Sequence, residues 1–241
     1  MSVDSQLRPG VSPAYNYAWK TLWPYFWKLL LIGIISWAIG LIVAPFQSMG
    51  DVVWPSVLEG ANSWTPGIVI AALLGMSLSV VVGVAFRVFV QGPIEYGVSF
   101  AYLKAARRDG LDIADMFASF KNYWQAVLAS FLVGLIISAG FLLLIVPGIY
   151  LACKLAFTPY LVVDRRMGAT DAMRESWRMT RGHGWTVFLI GLLAIPIALL
   201  GLLCLGVGII IAIMWITLAY ASLYHAVEST DGGAGTQYLA A

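Results

Sequence analysis

One basic residue lies deep inside an apolar run of the sequence. Lys154 follows the Pro147-Gly148 pair that begins its run by about two helical turns, so we expect its ammonium group roughly 9 Å from that end. A charge inside a membrane segment marks a candidate binding or transport site. The alternative is a structural lysine whose side chain extends outward to the interface, which costs less than burying an isolated charge. No acidic residue lies in the middle of another apolar run, so a proton relay is not indicated.

Arg87 and Glu95 form the second candidate polar site. They lie on either side of Gly92-Pro93, which should break or kink the second apolar helix because proline has no N–H group to donate. Near a membrane boundary the two side chains could pair with each other, or each could reach the headgroups separately.

Catalytic and metal-binding patterns are absent from the sequence. His183 and His225 have no Cys, Asp or Glu neighbours at ligand spacing, and Cys153 and Cys204 lie in or beside apolar runs as packing residues. No phosphate-binding glycine loop, nucleophile elbow or metalloprotease helix occurs. We therefore predict a protein that is not an enzyme and that needs neither a metal nor another cofactor.

Residues 170–181 form the clearest amphipathic helix. Asp171 lies in its first turn and Gly182 follows its last residue, as helix-dipole and C-cap preferences favour. Its three bases, at positions i, i+4 and i+7, are Arg174, Arg178 and Arg181. Trp177 is the aromatic residue beside them. Such a helix lies in the headgroup plane of a membrane. It could serve as a generic anchor, or as a binding surface for anionic lipid or a protein partner.

The pairing of an aromatic residue with a base occurs three times. Each copy has a glycine 14 positions after the aromatic residue, and the copies begin at Trp19-Lys20, Phe120-Lys121 and Trp177-Arg178. We expect these pairs to extend the lipid or partner surface. The pattern favours three repeated units, each an interfacial helix followed by a helical hairpin. Convergence on a common membrane-entry pattern is the alternative.

Six apolar runs dominate the sequence. Hydrophobic residues make up 61% and charged residues 11% of the chain, a balance that excludes a soluble domain. We predict an all-α integral membrane protein of six transmembrane helices with cytoplasmic interfacial amphipathic helices. Its single domain spans residues 1–241, with a cytoplasmic interfacial N-terminal segment (1–27) and a flexible cytoplasmic tail (228–241). The runs approach the length of about 20 residues that crosses the hydrocarbon core, and they are 28–46, 67–89, 127–146, 148–163, 185–203 and 206–227.

The basic residues lie on one side of these runs. The loops after the first, third and fifth runs have no Lys or Arg, whereas eleven of the 14 bases lie in the other loops and the termini, and a twelfth, Lys28, lies at the mouth of the first run on the same side. By the positive-inside rule this predicts that both termini are cytoplasmic. If the short fourth run did not cross, the Arg-rich residues 165–181 would lie outside.

Small residues recur every four positions in three of the runs. Such rows let helix backbones approach closely, so we expect them to face the interior of the bundle, although the same pattern could drive a homodimer. On this basis Gly134→Leu should destabilise the protein more than Leu132→Ala. The rows are Ser36, Gly40 and Ala44; Gly75, Ser79 and Gly83; and Ser130, Gly134 and Ser138.

The second half of the sequence carries a distinctive pattern. Val146-Pro147-Gly148-Ile149-Tyr150-Leu151 is followed by Phe157, Pro159 and Val162-Val163-Asp164, and then by Ala172, Ser176-Trp177, Thr180 and Gly182. This pattern resembles a broad group of prokaryotic membrane proteins without an agreed activity. The group includes the YciC-like proteins and the membrane domain of some glycerophosphodiester phosphodiesterases, and the residues from Tyr96-Gly97 through Met116-Phe117 to Phe120-Lys121 are similar to its middle section.

The resemblance implies a multi-helix domain of the prokaryotic cytoplasmic membrane. It does not imply phosphodiesterase catalysis, because the soluble barrel and its metal-binding motifs are absent from this sequence. We expect a non-enzymatic scaffold, lipid-associated factor or accessory subunit of a membrane complex. Its expected partners are membrane lipids with anionic headgroups and a protein of such a complex, and no nucleic acid. The alternative function is a small transporter or exporter subunit, which would need polar groups that converge at mid-membrane.

The absence of bases from alternate loops predicts the topology directly. In a variant that lacks Cys153 and Cys204, Ser56→Cys should react with a membrane-impermeant thiol reagent in intact cells, because the 47–66 loop lies outside. Labelling of Ser56→Cys only after cell lysis would contradict the model.

Overall fold

The computed structural model describes residues 9–59, 66–203 and 207–238, and all regular secondary structure in these ranges is helical. Six of the described helical segments are long and apolar enough to cross a membrane. The prediction of an all-α membrane protein with six such segments is confirmed. The segments are Val11–Leu41, Leu73–Arg107, Ile113–Leu143, Ile145–Asp164, Gly184–Leu203 and Gly208–Thr230.

The first hairpin pairs two long helices. Helix α1 (Val11–Glu59) packs on α2 (Pro66–Phe86), which continues through a π-helical turn (Arg87–Gln91) into α3 (Gly92–Arg107). Pro93 cannot donate a hydrogen bond to the preceding turn, and the helix widens there into the π turn. The irregularity predicted at Gly92-Pro93 is therefore a widened turn inside a continuous helix.

The second hairpin begins with a 3-10 helix (Ile113–Asn122), whose N-cap Asp112 forms a capping box with Asp115. The chain then runs out through α4 (Tyr123–Leu143) and returns through α5 (Ile145–Leu155) and α6 (Thr158–Asp164). The returning span is thus divided into two short helices.

The third hairpin follows a short helix, α7 (Ala169–Met179), and consists of α8 (Gly184–Leu203) and α9 (Val207–Tyr238). Helix α9 packs against both α8 and α1, so the third hairpin closes on the first. The second hairpin joins them through contacts of α6 and α4 with α3.

The buried core is concentrated where α3, α6, α7 and the last part of α9 meet, which we call the polar end of the bundle. Leu103, Leu161 and Leu223 have no exposed surface there, whereas Leu142, near the end of α4, is 89% exposed. Exposed leucines are compatible with a membrane, because lipid tails are as apolar as leucine itself. The protein is therefore tightly packed at one end and open to hydrocarbon at the other.

Two predicted boundaries do not coincide with helix ends. Helix α1 runs without interruption from Val11 past residue 27, and Lys28, just beyond that boundary, donates a 2.7 Å hydrogen bond to the Leu111 carbonyl. Tyr15 of this segment is buried, and its hydroxyl donates to the Ile190 carbonyl at 2.9 Å. Helix α9 continues beyond residue 228 to Tyr238. The flexibility of the last residues stays a prediction.

The expected role of the small-residue rows is wrong for two of their glycines. A Cβ at Gly40 or Gly134 would have no neighbouring atom within 4 Å, so neither position brings helices together in the bundle. Leu132, in contrast, packs against the buried core. The expected order of Gly134→Leu and Leu132→Ala is therefore reversed. A glycine outside the rows makes the close approach instead, because a Cβ at Gly97 would overlap the carbonyl group of Met116.

Substitutions at Gly97 and Gly134 compare a closely packed glycine with an exposed one. We expect Gly97→Ala to lower the free energy of unfolding by roughly 2 kcal/mol or more, because the added methyl group forces α3 away from the 3-10 helix. Gly134→Ala is the matched control, and it should leave stability unchanged or slightly higher, since alanine favours a helix more than glycine does. Thermal unfolding in one detergent measures both, and equal midpoints would contradict the close approach at Gly97.

Candidate functional site

A cluster of charged side chains lies at the polar end of the bundle and is centred on Arg107, near the end of α3. Its guanidinium donates two parallel hydrogen bonds to Asp164 of α6, at 2.7 and 2.8 Å. The same group donates to Glu228 of α9 at 2.5 Å. The side chains of Arg107, Asp164 and Glu228 are only 18%, 14% and 22% exposed. One guanidinium therefore joins one helix from each of the three hairpins.

The cluster continues onto α7. Arg165 pairs with Glu228 at 3.1 Å and with Glu175 at 3.7 Å, and Glu175 accepts a 2.6 Å hydrogen bond from Arg178. We call these six residues, Arg107, Asp164, Arg165, Glu175, Arg178 and Glu228, the ion network.

The electrostatics of the ion network favour its charged form. The hydrogen bond from Arg178 lowers the pKa of the Glu175 carboxyl below its ordinary value of 4.5, although partial burial opposes this change. Partial burial is the largest single influence on the pKa of Arg165 and lowers it, but the hydrogen bond to Glu228 and the neighbouring charges together outweigh burial, and the net change is upward. Each of the three carboxylates is bonded to at least one guanidinium. The arrangement suits a structural clamp better than a general base or a cation site.

Helix α7 is held against the bundle by its small and hydroxyl residues. Ser176 has no exposed surface; its hydroxyl donates to the Lys154 carbonyl at 2.8 Å and accepts from the Phe157 backbone N–H at 3.2 Å. These two backbone groups belong to the break between α5 and α6, where the regular helical ladder is interrupted. A broken helix in a membrane needs such partners, because hydrocarbon offers no hydrogen bonds.

The structure places Lys154 differently from the outward-reaching lysine that the sequence favoured. The side chain is buried, and its ammonium group donates to the Thr180 carbonyl at 3.3 Å. It also lies 5.6 Å from the centre of the Tyr150 ring and 5.8 Å from the centre of the Trp177 ring. A cation at the carboxyl end of α7 is stabilised by the helix dipole and by the two aromatic faces. The outward interpretation is therefore wrong, and Lys154 serves as a cap of α7.

The three arginines of the predicted stripe lie on the side of α7 that faces away from the bundle, where all are exposed. Arg178 is paired with Glu175, and the spacing of the bases alone did not predict this pair. No ion pair of Arg174 or Arg181 occurs within the described part of the chain. Trp177 is only half-buried, and its ring meets that of Tyr150 at 5.9 Å, so it anchors α7 to α5.

The other predicted surface residues are dispersed. Lys20, Phe120 and Lys121 are exposed, and Phe120 stacks on Tyr123 with ring centres 5.8 Å apart. Trp19 is 41% exposed and meets the ring of Trp215 at 5.0 Å, so part of it belongs to the contact between α1 and α9. Among the described residues, no contact joins these side chains and α7 into a single patch.

Arg87 and Glu95 do not form an ion pair in the described structure. Both side chains are exposed, and Glu95 accepts a 2.8 Å hydrogen bond from Gln91 instead. Arg87 begins the π turn and Glu95 lies in the first turn of α3, so the helical register changes between them. They therefore belong to different local environments.

No group of three or more His, Cys, Asp or Glu side chains among the described residues is placed to hold a metal ion. Cys204 lies outside the described residues, and the predicted absence of a cofactor stays a prediction.

The comparison with known families concerns the C-terminal part of the chain. Residues 139–231 match the family model described as "Protein of unknown function (DUF975)". The match runs from the end of α4 into α9 and contains the contacts of Lys154 and Ser176 with α7. It covers less than half of the 241 residues. The predicted likeness to a family of unknown function is confirmed in this general form. No solved structure matches the chain.

The ion network is the feature that sequence reasoning missed. Its members were treated as separate bases in cytoplasmic loops, and Asp164 was noted only as part of a family-like pattern. A usable signal was present, because Asp164 and Glu228 both end apolar runs on the side that carries the bases. Opposite charges at the same end of neighbouring spans favour pairing.

Removal of the central guanidinium tests the clamp. We expect Arg107→Gln to lower the free energy of unfolding by roughly 2 kcal/mol, because Asp164 and Glu228 would then face each other without a shared cation. The adjacent Arg108 is exposed and provides the matched control, Arg108→Gln, with a loss of about 0.5 kcal/mol or less. Addition of Asp164→Asn to Arg107→Gln should recover part of the loss. Indistinguishable unfolding of the two single variants in detergent would show that the cluster does not hold the hairpins together.

Proposed function

We propose that this protein is a non-enzymatic component of the prokaryotic cytoplasmic membrane, where it acts as a lipid-associated scaffold or accessory subunit of a membrane complex. The observation that carries this proposal is the orientation of α7. The helix buries Ala169, Ala172, Ser176 and Met179 against the bundle and leaves its bases on the opposite side.

The charge of α7 suits an anionic surface in a specific way. Arg178 shares its guanidinium with Glu175, so Arg174 and Arg181 contribute most of the positive charge available to a ligand. Arg174 lies in the middle of α7 and Arg181 lies two residues beyond its last residue, so neither is at the amino end where the dipole would add positive charge. The ligand expected here is a lipid phosphate at the headgroup level. The alternative ligand of these arginines is a protein with an acidic surface.

The topology we propose has both termini in the cytoplasm and the polar end of the bundle at the cytoplasmic interface. It is supported by the distribution of the bases and by the position of α7 and the 3-10 helix just before outward-running spans. The three hairpins, each with such a segment or the first part of α1 before it, are consistent with three repeated units. We also propose that the chain is related to the YciC-like proteins and the associated phosphodiesterase membrane domains, on the pattern around residues 146–182.

A small transporter is the second candidate, and one observation favours it. The hydroxyl groups of Tyr224 and Thr158 are buried and have no hydrogen-bond partner in the described part of the chain. Tyr224 stacks on Tyr160 with ring centres 5.0 Å apart, so aromatic hydroxyl groups converge inside the bundle. Solute uptake by the purified protein in proteoliposomes would move this function ahead of the scaffold.

A charge-matched pair of variants tests the lipid surface. Arg174→Gln with Arg181→Gln removes the two bases that have no ion pair in the described structure, and it should weaken association with anionic lipid by about 2 kcal/mol at low salt. Arg108→Gln with Arg166→Gln removes two exposed bases outside α7 and should have a smaller effect. The measurement is the amount of phosphatidylglycerol retained through detergent exchange, after topology has been shown unchanged. Equal retention by both double variants would favour a protein partner for α7.

A further inference from the structure

An apolar groove runs between α2 and α4. It has a volume of about 510 Å³ and is lined by apolar side chains of both helices, among them Val80, Val84, Val88, Trp124, Leu128 and Phe131. Both walls belong to candidate membrane spans. The groove is therefore open to hydrocarbon along its length rather than to water.

One end of the groove is closed by a hydrogen bond between its walls. The Tyr123 hydroxyl, at the start of α4, donates to the Phe89 carbonyl in the π turn at 2.8 Å. Phe89 also lines a second cavity of about 490 Å³, together with Val90, Phe120 and Tyr123. The two spaces share Phe89, so the second cavity lies beside the closed end of the groove.

Two bases flank this junction. Arg87 lies two residues before Phe89, and Lys121 lies two residues before Tyr123, so each base belongs to one of the two segments that this hydrogen bond joins. Both side chains are exposed. Lys104, the nearest base along α3, is in contrast paired with Asp115 at 2.8 Å. The junction thus places positive charge at the end of an apolar groove, which complements the phosphate and acyl chain of an anionic lipid.

We propose that this groove holds one acyl chain of an anionic phospholipid, with its phosphate between Arg87 and Lys121. The inference rests on the proposed lipid association but concerns a site separate from α7. The size of the groove supports a single chain over a second helix: a helical segment about 14 Å long and 10 Å wide would occupy roughly 1,100 Å³, twice the space between the walls. A volume near 500 Å³ is also within the usual range of small-molecule sites.

Photochemical labelling tests the site in the full-length protein. The protein is placed in phosphatidylcholine bilayers that contain a minor fraction of a lipid with a diazirine in its acyl chain, carried on either a phosphatidylglycerol or a phosphatidylcholine headgroup. The phosphatidylglycerol probe should label residues 80–89 and 124–131 several-fold more than the phosphatidylcholine probe does. Both probes should label the exposed Leu142 and Leu193 equally. Equal labelling of the groove by the two probes would overturn the proposal and show an ordinary lipid-facing surface.

Variants separate the headgroup from the chain. Arg87→Gln with Lys121→Gln should remove the several-fold preference for phosphatidylglycerol in the groove at low salt, since each base near an anionic surface contributes about 1 kcal/mol. Val84→Trp should block labelling of the groove by both probes, whereas Leu193→Trp, on an exposed position of α8, should not. Unchanged preference in the first variant would also overturn the proposal, as would a photolabile residue at Leu128 that cross-links to a second copy of the chain instead of to lipid.

The experiments can contradict the α7 proposal and the groove proposal independently of each other. The α7 double variant should lower total phosphatidylglycerol retention and leave the labelling of the groove intact. If groove labelling persists while α7 has no effect, the proposed role of α7 fails alone. If α7 affects retention while the groove shows no headgroup preference, the groove site fails alone.

Discussion

The bundle depends on the guanidinium of Arg107. It contacts Asp164 and Glu228 simultaneously, and these carboxylates belong to the second and third hairpins, while Arg107 itself ends the first. In a membrane, hydrophobic burial contributes little to the association of helices, because lipid competes equally for apolar surfaces. The partly buried ion network has no such apolar competitor. If any hairpin moved away from the others, carboxylates of this cluster would lose their guanidinium partner and remain uncompensated.

The division of the fourth span illustrates the same constraint at the level of the backbone. The chain between α5 and α6 departs from a regular helix, so its polar groups need partners within the protein. Ser176 supplies both a donor and an acceptor to this break, and Lys154 in return caps the carboxyl end of α7. The break and α7 therefore stabilise each other. This reciprocity gives a physical reason for a pattern in which Pro147-Gly148, Phe157, Ser176-Trp177 and Thr180 occur together.

A firm polar end leaves the rest of the spans free to contact lipid. Helices α2 and α4 are joined where Tyr123 meets Phe89, and an apolar groove lies between them on the membrane side of that junction. Helix α7 presents bases outward because its other face is occupied by the bundle. Both proposed lipid contacts are therefore consequences of how the polar end is packed.

The sequence by itself determined the features that depend on local composition and spacing. The apolar runs predicted six membrane segments, Gly92-Pro93 predicted an irregular helix, and the spacing of Arg174, Arg178 and Arg181 predicted an exposed stripe. Each of these follows from helical geometry or from the cost of exposing backbone groups to lipid, which neighbours in the chain already determine.

Only the tertiary structure decided which of these elements meet. The rows of small residues suggested buried contacts, yet Gly134 is exposed and Gly97 makes the close approach, because the direction of a helix face depends on how the hairpins are rotated. Lys154 was read from its depth in one span, whereas its partners, Thr180 and Trp177, lie on another helix. The ion network was missed for the same reason: Arg107 and Glu228 are separated by 121 positions, and their pairing depends on the mutual positions of three hairpins, which no local spacing encodes.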